Sequence, residues 1–186
     1  MSNQRSNGGA LFALLATLTL GAGAAQALTV EDLQGATISI DVLYDTRIRL
    51  EGREMDAQTR WTMRMTIGSG GTTSGNFQRV GIYQGRNMGT IARSFAGKIG
   101  TPVERGEGHN LWLLSGDKLI MLRTFAVGGL KAEITFGAGG KSCSVRAPLA
   151  REMGAGNTKM DSAARPGAKV EVLSATQASS SCSVSR

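Results

Sequence analysis

The sequence predicts an all-β protein, an antiparallel meander of about eight to ten short strands that closes into a barrel rather than a sandwich. Three observations favour this fold class. Apolar and polar residues alternate along many short segments, glycine-rich turns separate these segments, and no segment has a convincing helical period. Successive hairpins favour the barrel, because closure removes the exposed edges of an open sheet.

The first half of the chain contains the clearest strand. Residues 60–67 alternate strictly, with Trp61, Met63, Met65 and Ile67 on one face. Shorter alternating segments predict strands at residues 37–42 and 47–50, and weaker patterns predict strands at 73–83 and 88–99. Residues 30–33 have the only trace of a helical pattern, which is too short to change the fold class.

The second half of the chain predicts a meander with short turns. Strands are expected at residues 110–114, 118–125, 130–136 and 142–149, with a turn at Ser115–Asp117 between the first two. Residues 150–167 read as irregular, because they are rich in glycine, alanine and asparagine. The last strands are predicted at residues 169–173 and 179–185, the final one returning beside the strand that contains Cys143.

The N-terminus has the three parts of a secretory signal peptide. Residues 1–7 are polar with one cation, Arg5, residues 8–23 are apolar, and Ala24–Ala27 supplies small residues for cleavage before Leu28. A membrane anchor is the alternative, but the apolar stretch is short and rich in glycine and alanine. We therefore expect a signal peptide over residues 1–27 and a single β domain over residues 28–186, periplasmic or secreted and not membrane-spanning after cleavage.

The two cysteines of the chain are predicted to form a structural disulfide. Cys143 and Cys182 both lie in the exported part, where an oxidising compartment favours pairing. A redox-active pair is the alternative, but the C-x-x-C spacing is absent. Closing a loop of about 40 residues is expected to contribute roughly 4 kcal/mol to stability.

The exported part is moderately basic. Removing Arg5 leaves 20 basic and 14 acidic residues, and 20 minus 14 gives a formal charge of +6. Such a protein can bind anionic polymers of the cell envelope by charge alone. The alternative is a solvated surface with surplus arginine. There is no run of consecutive basic residues, and no specific nucleic-acid partner is expected.

Arginines recur at strand spacing in the first half of the chain. Arg47 and Arg49 share one face of their strand, and Arg60 and Arg64 share one face of theirs. If these strands pair, one polar face carries four guanidinium groups, whose planar geometry suits carboxylates and phosphates. A solvated strand face is the alternative, since three carboxylates lie nearby in sequence: Glu51, Glu54 and Asp56.

The remaining motifs give no catalytic or metal site. Gly140-Lys141-Ser142 resembles the end of a phosphate-binding loop, but Thr135 occupies the position of the first glycine and a strand pattern follows. We interpret it as a glycine hairpin. His109, the only histidine, has no recognisable catalytic or zinc partners. No cofactor and no metal are predicted.

The apolar residues of the predicted barrel supply an alternative function. Trp61, Met63, Met65 and Met121 could line a cavity for a small apolar ligand, although buried tryptophans more often belong to a core. We rank three hypotheses: a non-enzymatic binding or structural protein of the cell envelope that contacts an anionic partner, a β-barrel carrier of a small apolar ligand, and a hydrolase. The hydrolase ranks third because the acidic residues are dispersed.

The C-terminal half of the chain resembles uncharacterised exported proteins of Gram-negative bacteria. The resemblance rests on Leu111-Trp112 with Ser115-Gly116, Leu122 to Phe125, Cys143, Arg151-Glu152 and Ser179 to Val184. It implies export and brings no activity. Lipocalins, whose barrel shape fits the predicted fold class, open with G-x-W; this would fall on Gly35-Ala36-Thr37, where the tryptophan is missing.

Overall fold

The computed structural model describes residues 27–105, 108–124, 129–147 and 158–186. Within those ranges the fold is all-β and antiparallel, as predicted. Three short 3-10 helices accompany the strands: Glu31–Leu33 (η1), Ser69–Gly71 (η2) and Ala138–Gly140 (η3). The strands are Thr37–Leu50 (β1), Arg53–Ile67 (β2), Thr72–Tyr83 (β3), Arg86–Lys98 (β4), Val103–Arg105 (β5), Gly108–Ser115 (β6), Lys118–Thr124 (β7), Gly129–Phe136 (β8), Cys143–Arg146 (β9), Thr158–Asp161 (β10) and Lys169–Ser185 (β11).

The first sheet has six strands in the order β10-β11-β1-β2-β3-β4. Along β1, the residues at even positions from Ile38 to Thr46 are buried, and those at odd positions face outward. The register places Ile38 opposite Met65 and Ile40 opposite Met63, so the apolar faces of β1 and β2 coincide. The alternation visible in the sequence therefore defines the inner face of this sheet.

The second sheet is a five-strand meander in the order β5-β6-β7-β8-β9. Leu119 of β7 lies opposite Ile134 of β8, which in turn lies opposite Val145 of β9, and all three side chains are buried. The predicted turn between β6 and β7 is confirmed, and Gly116 adopts a φ of 61° there.

The inner faces of the two sheets meet in one hydrophobic core. Leu33 of η1 is fully buried at one end of this core, beside the loop that leads into β1. The buried members of the cluster come from both sheets: Ile38, Ile40, Val42, Tyr44, Met63, Met65, Ile67, Trp112, Leu119, Met121, Ala132, Ile134, Phe136, Val145 and Ala147. The described residues of both sheets therefore share one hydrophobic core.

The sheets approach each other at the end of β4. Ile99 and Trp112 form an isolated parallel bridge, and the N–H of Gly100 donates a hydrogen bond of 2.7 Å to the carbonyl oxygen of Trp112. The chain therefore passes from the first sheet into the second while it remains hydrogen-bonded to β6.

The first and second sheets are also joined between β11 and β9. Here side chains of β11 form hydrogen bonds with backbone groups in β9 and in the segment just after it. The Gln177 amide oxygen accepts a hydrogen bond of 3.1 Å from the N–H of Ala147, and Ser180 Oγ donates to the carbonyl oxygen of Val145 at 3.3 Å. The predicted disulfide between Cys143 and Cys182 is present and joins the same two strands. At this junction, side-chain hydrogen bonds and the disulfide connect β9 with β11 in place of backbone hydrogen bonds between the two strands.

Tyr44 anchors β1 to the segment that follows β9. Its side chain is buried, and its hydroxyl donates a 2.5 Å hydrogen bond to the carbonyl oxygen of Ala147. Burial raises the pKa of the Tyr44 phenol, because the phenolate would lose its hydration.

Residues 161–165 cross the inner face of the β3–β4 hairpin at its far end. Ala163 packs over Gly81 and Gly89, and a Cβ at Gly89 would overlap the Ala163 carbonyl oxygen. Gly89 also has a φ of 143°, which other residues rarely adopt. Ser162 beside it is buried. Glycine at position 89 is therefore required for this close approach of two backbones.

Four strand assignments differ from the sequence prediction, and one of them is the unpredicted three-residue strand β5. The segments predicted at residues 37–42 and 47–50 form one strand, because Tyr44 and Thr46 are buried with their hydroxyls hydrogen-bonded to backbone carbonyls. The two predicted C-terminal strands are likewise one strand, β11, which follows β1 through two register shifts. Residues 150–167 are not entirely irregular, since β10 pairs with residues 169–172.

Some predictions fall on residues that are not described. The predicted signal peptide lies outside the described residues except for Ala27, and so do parts of the turns after β7 and β9. Within the described part of the chain, no helix is long and apolar enough to cross a membrane.

Candidate anion-binding surfaces

The predicted pairing of the arginine-bearing strands is present. In the β1–β2 register Arg47 lies opposite Asp56, Arg49 opposite Glu54 and Arg60 opposite Leu43. All of these residues, with Arg64 opposite Ser39, occupy the face that points away from the core. We call this surface the arginine face, defined by Arg47, Arg49, Arg60 and Arg64.

Carboxylates on the same surface bind three of its four arginines. Arg47 Nε lies 3.3 Å from Glu54 Oε2, and Arg49 Nη1 lies 2.8 Å from Glu171 Oε2 on β11. Arg49 also donates to Glu54, and this hydrogen bond is the main reason why the pKa of the Glu54 carboxyl is lowered. The contact from Arg49 keeps the Glu54 carboxylate ionised beside the guanidinium groups.

Arg60 and Arg64 differ in their surroundings. Arg60 Nε donates to Asp41 Oδ1 at 2.9 Å, and this pairing raises the pKa of the Arg60 guanidinium. Arg64 is exposed and has no ion-pair partner among the described residues. On the outward face of β1 and β2, the four arginines lie among four carboxylates, Asp41, Asp45, Glu54 and Asp56, so the formal charges of this face sum to 4 minus 4, or zero.

A groove of about 650 Å³ opens on part of this face. Its lining includes Asp45, Arg47, Asp56, Gln58 and Ser174, so two carboxylates outnumber the single guanidinium. Gln58 Nε2 donates a 2.9 Å hydrogen bond to Asp45 Oδ1. The groove is polar with a formal charge of minus one, which opposes the binding of an anion.

The neighbouring hairpin, by contrast, carries positive charge without carboxylates. The sequence contains no Asp or Glu between Asp56 and Glu104. β3, β4 and their turn, residues 72–98, consequently carry four cations and no carboxylate: Arg79, Arg86, Arg93 and Lys98. We call residues 72–98 the cationic hairpin. Sequence reasoning missed it, although the long stretch without carboxylates was a visible signal.

Two members of the cationic hairpin contact the end of β10. Arg79 donates to the backbone carbonyl oxygen of Asp161, and Arg93 Nη2 lies 3.8 Å from the Asp161 carboxylate. Lys169 also binds that carboxylate and is the main cause of its lowered pKa. Three cations around one carboxylate give a local formal charge of 3 minus 1, or +2.

The other two cations of the hairpin are unpaired within the described residues. Arg86 lies at the start of β4 and Lys98 at its end, and both side chains are exposed. Neither has an ion-pair partner in the described ranges, whereas Arg47, Arg49 and Arg60 are each bound by carboxylates. The cationic hairpin is therefore better suited than the arginine face to bind a polyanion.

The residues predicted to line an apolar cavity lie in the core. Met63 and Met65 are 4% and 0% exposed, and Met121, which belongs to the second sheet, is also buried. Trp61 is partly buried and forms an edge-on ring contact with Phe77 at 6.2 Å between centroids. These side chains are packed against protein neighbours at the positions where the carrier hypothesis requires a ligand.

The glycine motif before β9 is a turn, as predicted. Gly139 and Gly140 adopt φ values of 63° and 66° in η3, and strand β9 follows. A phosphate-binding loop would be followed by a helix. Among the described residues, no three His, Cys, Asp or Glu side chains are grouped closely enough to hold a metal ion.

Comparisons with known proteins identify no relative of this chain. No protein family matches the sequence, no curated protein matches it, and no solved structure matches its fold. The resemblance of the C-terminal half to exported proteins of Gram-negative bacteria gains no support from these comparisons.

Proposed function

We propose that this chain is an exported, non-enzymatic protein of the bacterial cell envelope that binds an anionic partner. The proposed export, to the periplasm or beyond, rests on the N-terminal sequence pattern of residues 1–27. The Cys143–Cys182 disulfide is consistent with an oxidising compartment. We take the partner to be a polymer or protein rich in carboxylate, phosphate or sulfate groups.

The observation that carries this proposal is the cationic hairpin. Four cations and no carboxylate in residues 72–98 create a positive field, which raises the local concentration of polyanions and speeds their association. By contrast, the carboxylates of the arginine face compete with any external anion for Arg47, Arg49 and Arg60. We therefore place the main binding surface on the hairpin, and Arg64 is the arginine-face residue that remains available.

The lowered pKa values of two described carboxylates, Glu54 and Asp161, support a non-enzymatic role. A general acid at neutral pH needs a raised carboxyl pKa, which burial or a neighbouring carboxylate can supply. The pKa of Glu54 is instead lowered by the hydrogen bond from Arg49. That of Asp161 is lowered by Lys169. These groups are suited to ion pairing.

We also propose that the two sheets form an open, flattened barrel. The Ile99–Trp112 bridge supports this arrangement on one side, and the hydrogen bonds and disulfide between β9 and β11 support it on the other. Nuclear Overhauser contacts between β4 and β6 beyond the Ile99–Trp112 pair are expected for a barrel. Contacts confined to that one bridge would favour a sandwich.

Two matched double variants test the binding surface. Arg86→Gln with Lys98→Gln removes two cations from the cationic hairpin, and Arg53→Gln with Arg64→Gln removes two from β2. None of these four has an ion-pair partner among the described residues. Both variants lose the same charge. Binding to heparin, used as a model polyanion, is measured as a function of salt concentration.

The hairpin variant is expected to bind heparin more weakly and with a flatter salt dependence. By analogy with counterion release on DNA, losing two ionic contacts lowers the slope of log K against log salt by about two. The β2 variant should retain most of the affinity and slope. Equal losses in both variants would contradict a localised surface, and unchanged binding in both would contradict the proposed function.

A further inference from the structure

The polar groove on the outward face of the first sheet takes no part in the proposed function. It has a volume of about 650 Å³ and lies across β11, β1, β2 and the end of β3. The strand register aligns one row of its side chains, Thr176, Asp45, Gln58 and Ile82. The next row contains Ser174, Arg47 and Asp56. The first row crosses four strands, which at a spacing of about 4.8 Å makes it about 14 Å long.

Several polar groups of the groove have no partner within the part of the chain that the structure describes. The side-chain hydroxyls of Ser174 and Thr176 and the side-chain amide of Gln84 form no hydrogen bond there. A hydroxyl both donates and accepts, and an amide offers two donors and one acceptor. The groove therefore presents donors and acceptors side by side, as a ligand rich in hydroxyl groups requires.

The charged side chains of the groove are already compensated by their neighbours. Arg47 Nε lies 3.3 Å from Glu54 Oε2, and Arg47 Nη1 lies 3.9 Å from Asp56 Oδ1. Asp45 Oδ1 accepts a 2.9 Å hydrogen bond from Gln58 Nε2. An anion would meet the net negative charge of the groove, and a cation would have to compete with Arg47 for Asp56. A neutral ligand meets neither obstacle, because hydroxyl groups donate to carboxylates and accept from guanidinium groups.

The backbone of Gln84 is strained beside this groove. Gln84 has a φ of 50° in the two-residue turn that it forms with Gly85, a conformation that glycine, asparagine and aspartate adopt more readily. Glu51 has a similar φ of 51° in the turn between β1 and β2, and its side chain forms an ion pair with Arg165. The Gln84 side chain has no such partner among the described residues, and it lines the groove. Strain of this kind is concentrated at functional sites.

We infer that the groove binds a short neutral oligosaccharide. Hydroxyl groups of the sugar donate to Asp45 and Asp56. Other hydroxyls accept from Arg47 and from the amide of Gln84, and the apolar C–H face of a ring packs against Ile82 at the end of the first row. The inference is independent of the proposed function, because none of the four cations of the cationic hairpin lines the groove.

Chemical-shift mapping by NMR of the full mature protein tests the inference. The probes are three neutral trisaccharides, maltotriose, cellotriose and N-acetylchitotriose, each added at millimolar concentration, and spermidine is the cationic control. At least one trisaccharide is expected to shift the backbone amides of residues 45–47, 56–58, 82–85 and 174–176. The absence of such shifts with all three sugars would overturn the inference, and shifts produced by spermidine alone would overturn it in favour of a cationic ligand.

A matched pair of turn variants separates binding from folding. Gln84→Asn shortens the amide side chain and suits the positive φ, so the variant should unfold at the same or a higher temperature. It should nevertheless bind the trisaccharide about tenfold more weakly, because one or two hydrogen bonds are lost. The control Glu51→Asn makes the same kind of change in the turn outside the groove and should bind the trisaccharide like the wild type. Equal weakening in both variants, or no weakening by Gln84→Asn, would overturn the inference.

Discussion

Removing the disulfide between Cys143 and Cys182 is expected to lower the free energy of unfolding by about 4 kcal/mol. The bond joins β9 of the second sheet to β11 of the first, across a sequence separation of 39. For a closed loop of about 40 residues the chain-entropy relation gives about 13 cal/mol/K, which is about 4 kcal/mol at 25 °C. The bond therefore stabilises the fold by restricting the unfolded chain.

The variant Cys143→Ala with Cys182→Ala is suited to urea unfolding followed by fluorescence. The two tryptophans of the chain report on different sheets, since Trp61 lies in β2 and Trp112 in β6. With a urea m-value of about 2 kcal/mol/M, the transition midpoint should fall by about 2 M. Wild-type protein reduced with a thiol is the control, because it loses the bond and keeps both sulfur atoms.

The expected result is a large, similar shift in the variant and in the reduced wild type. A midpoint that moves by less than about 0.5 M, equivalent to about 1 kcal/mol, would refute the loop-closure reasoning. A shift in the variant that reduction does not reproduce would assign the effect to the side chains. Separate transitions for the two tryptophans would show that the junction is needed to couple the sheets.

Three further substitutions test individual contacts. Tyr44→Phe removes the hydrogen bond to the buried carbonyl after β9 and should cost about 1–3 kcal/mol in urea unfolding. Because the pKa of Tyr44 is raised on folding, wild-type stability should also fall as the pH rises above about 10, and the phenylalanine variant should show a smaller fall. Gly89→Ala should lower the thermal unfolding midpoint, because the new Cβ would overlap a backbone carbonyl and the φ at this position is positive. The control Gly81→Ala, whose Cβ would lie 3.6 Å from the nearest atom, should change the midpoint little. Equal effects would contradict the close approach of the two backbones at Gly89. Asp161→Asn removes the negative charge that lies among Arg79, Arg93 and Lys169, so it should strengthen heparin binding and steepen its salt dependence. Weaker heparin binding by a folded variant would contradict the proposed surface.

Most of the strands and the disulfide could be predicted from the sequence, because they leave local signals. Strict alternation in residues 60–67 defines both the strand and its buried face. β10 left no such signal: its four residues form a strand because they pair with β11. Tertiary pairing decides the structure of such short polar segments.

The charge balance of the arginine face could not be predicted, because it depends on long-range register. Arg49 binds Glu171, which lies 122 positions away in the sequence. Likewise, alternation showed that Met63 and Met65 face inward, but it could not distinguish a packed core from a ligand cavity. The carboxylate-free stretch between Asp56 and Glu104 was available in the sequence, and the pairing of β3 with β4 gathers its cations into one hairpin.

Hydrogen exchange of the wild-type mature protein, with and without saturating heparin, tests the central claim most directly. We predict that heparin slows amide exchange in the cationic hairpin, residues 72–98, and in the adjoining residues 161–164 that contact it. Exchange in β1 and the first half of β2 should stay unchanged. Protection confined to residues 47–64 would instead place the binding surface on the arginine face and contradict the claim.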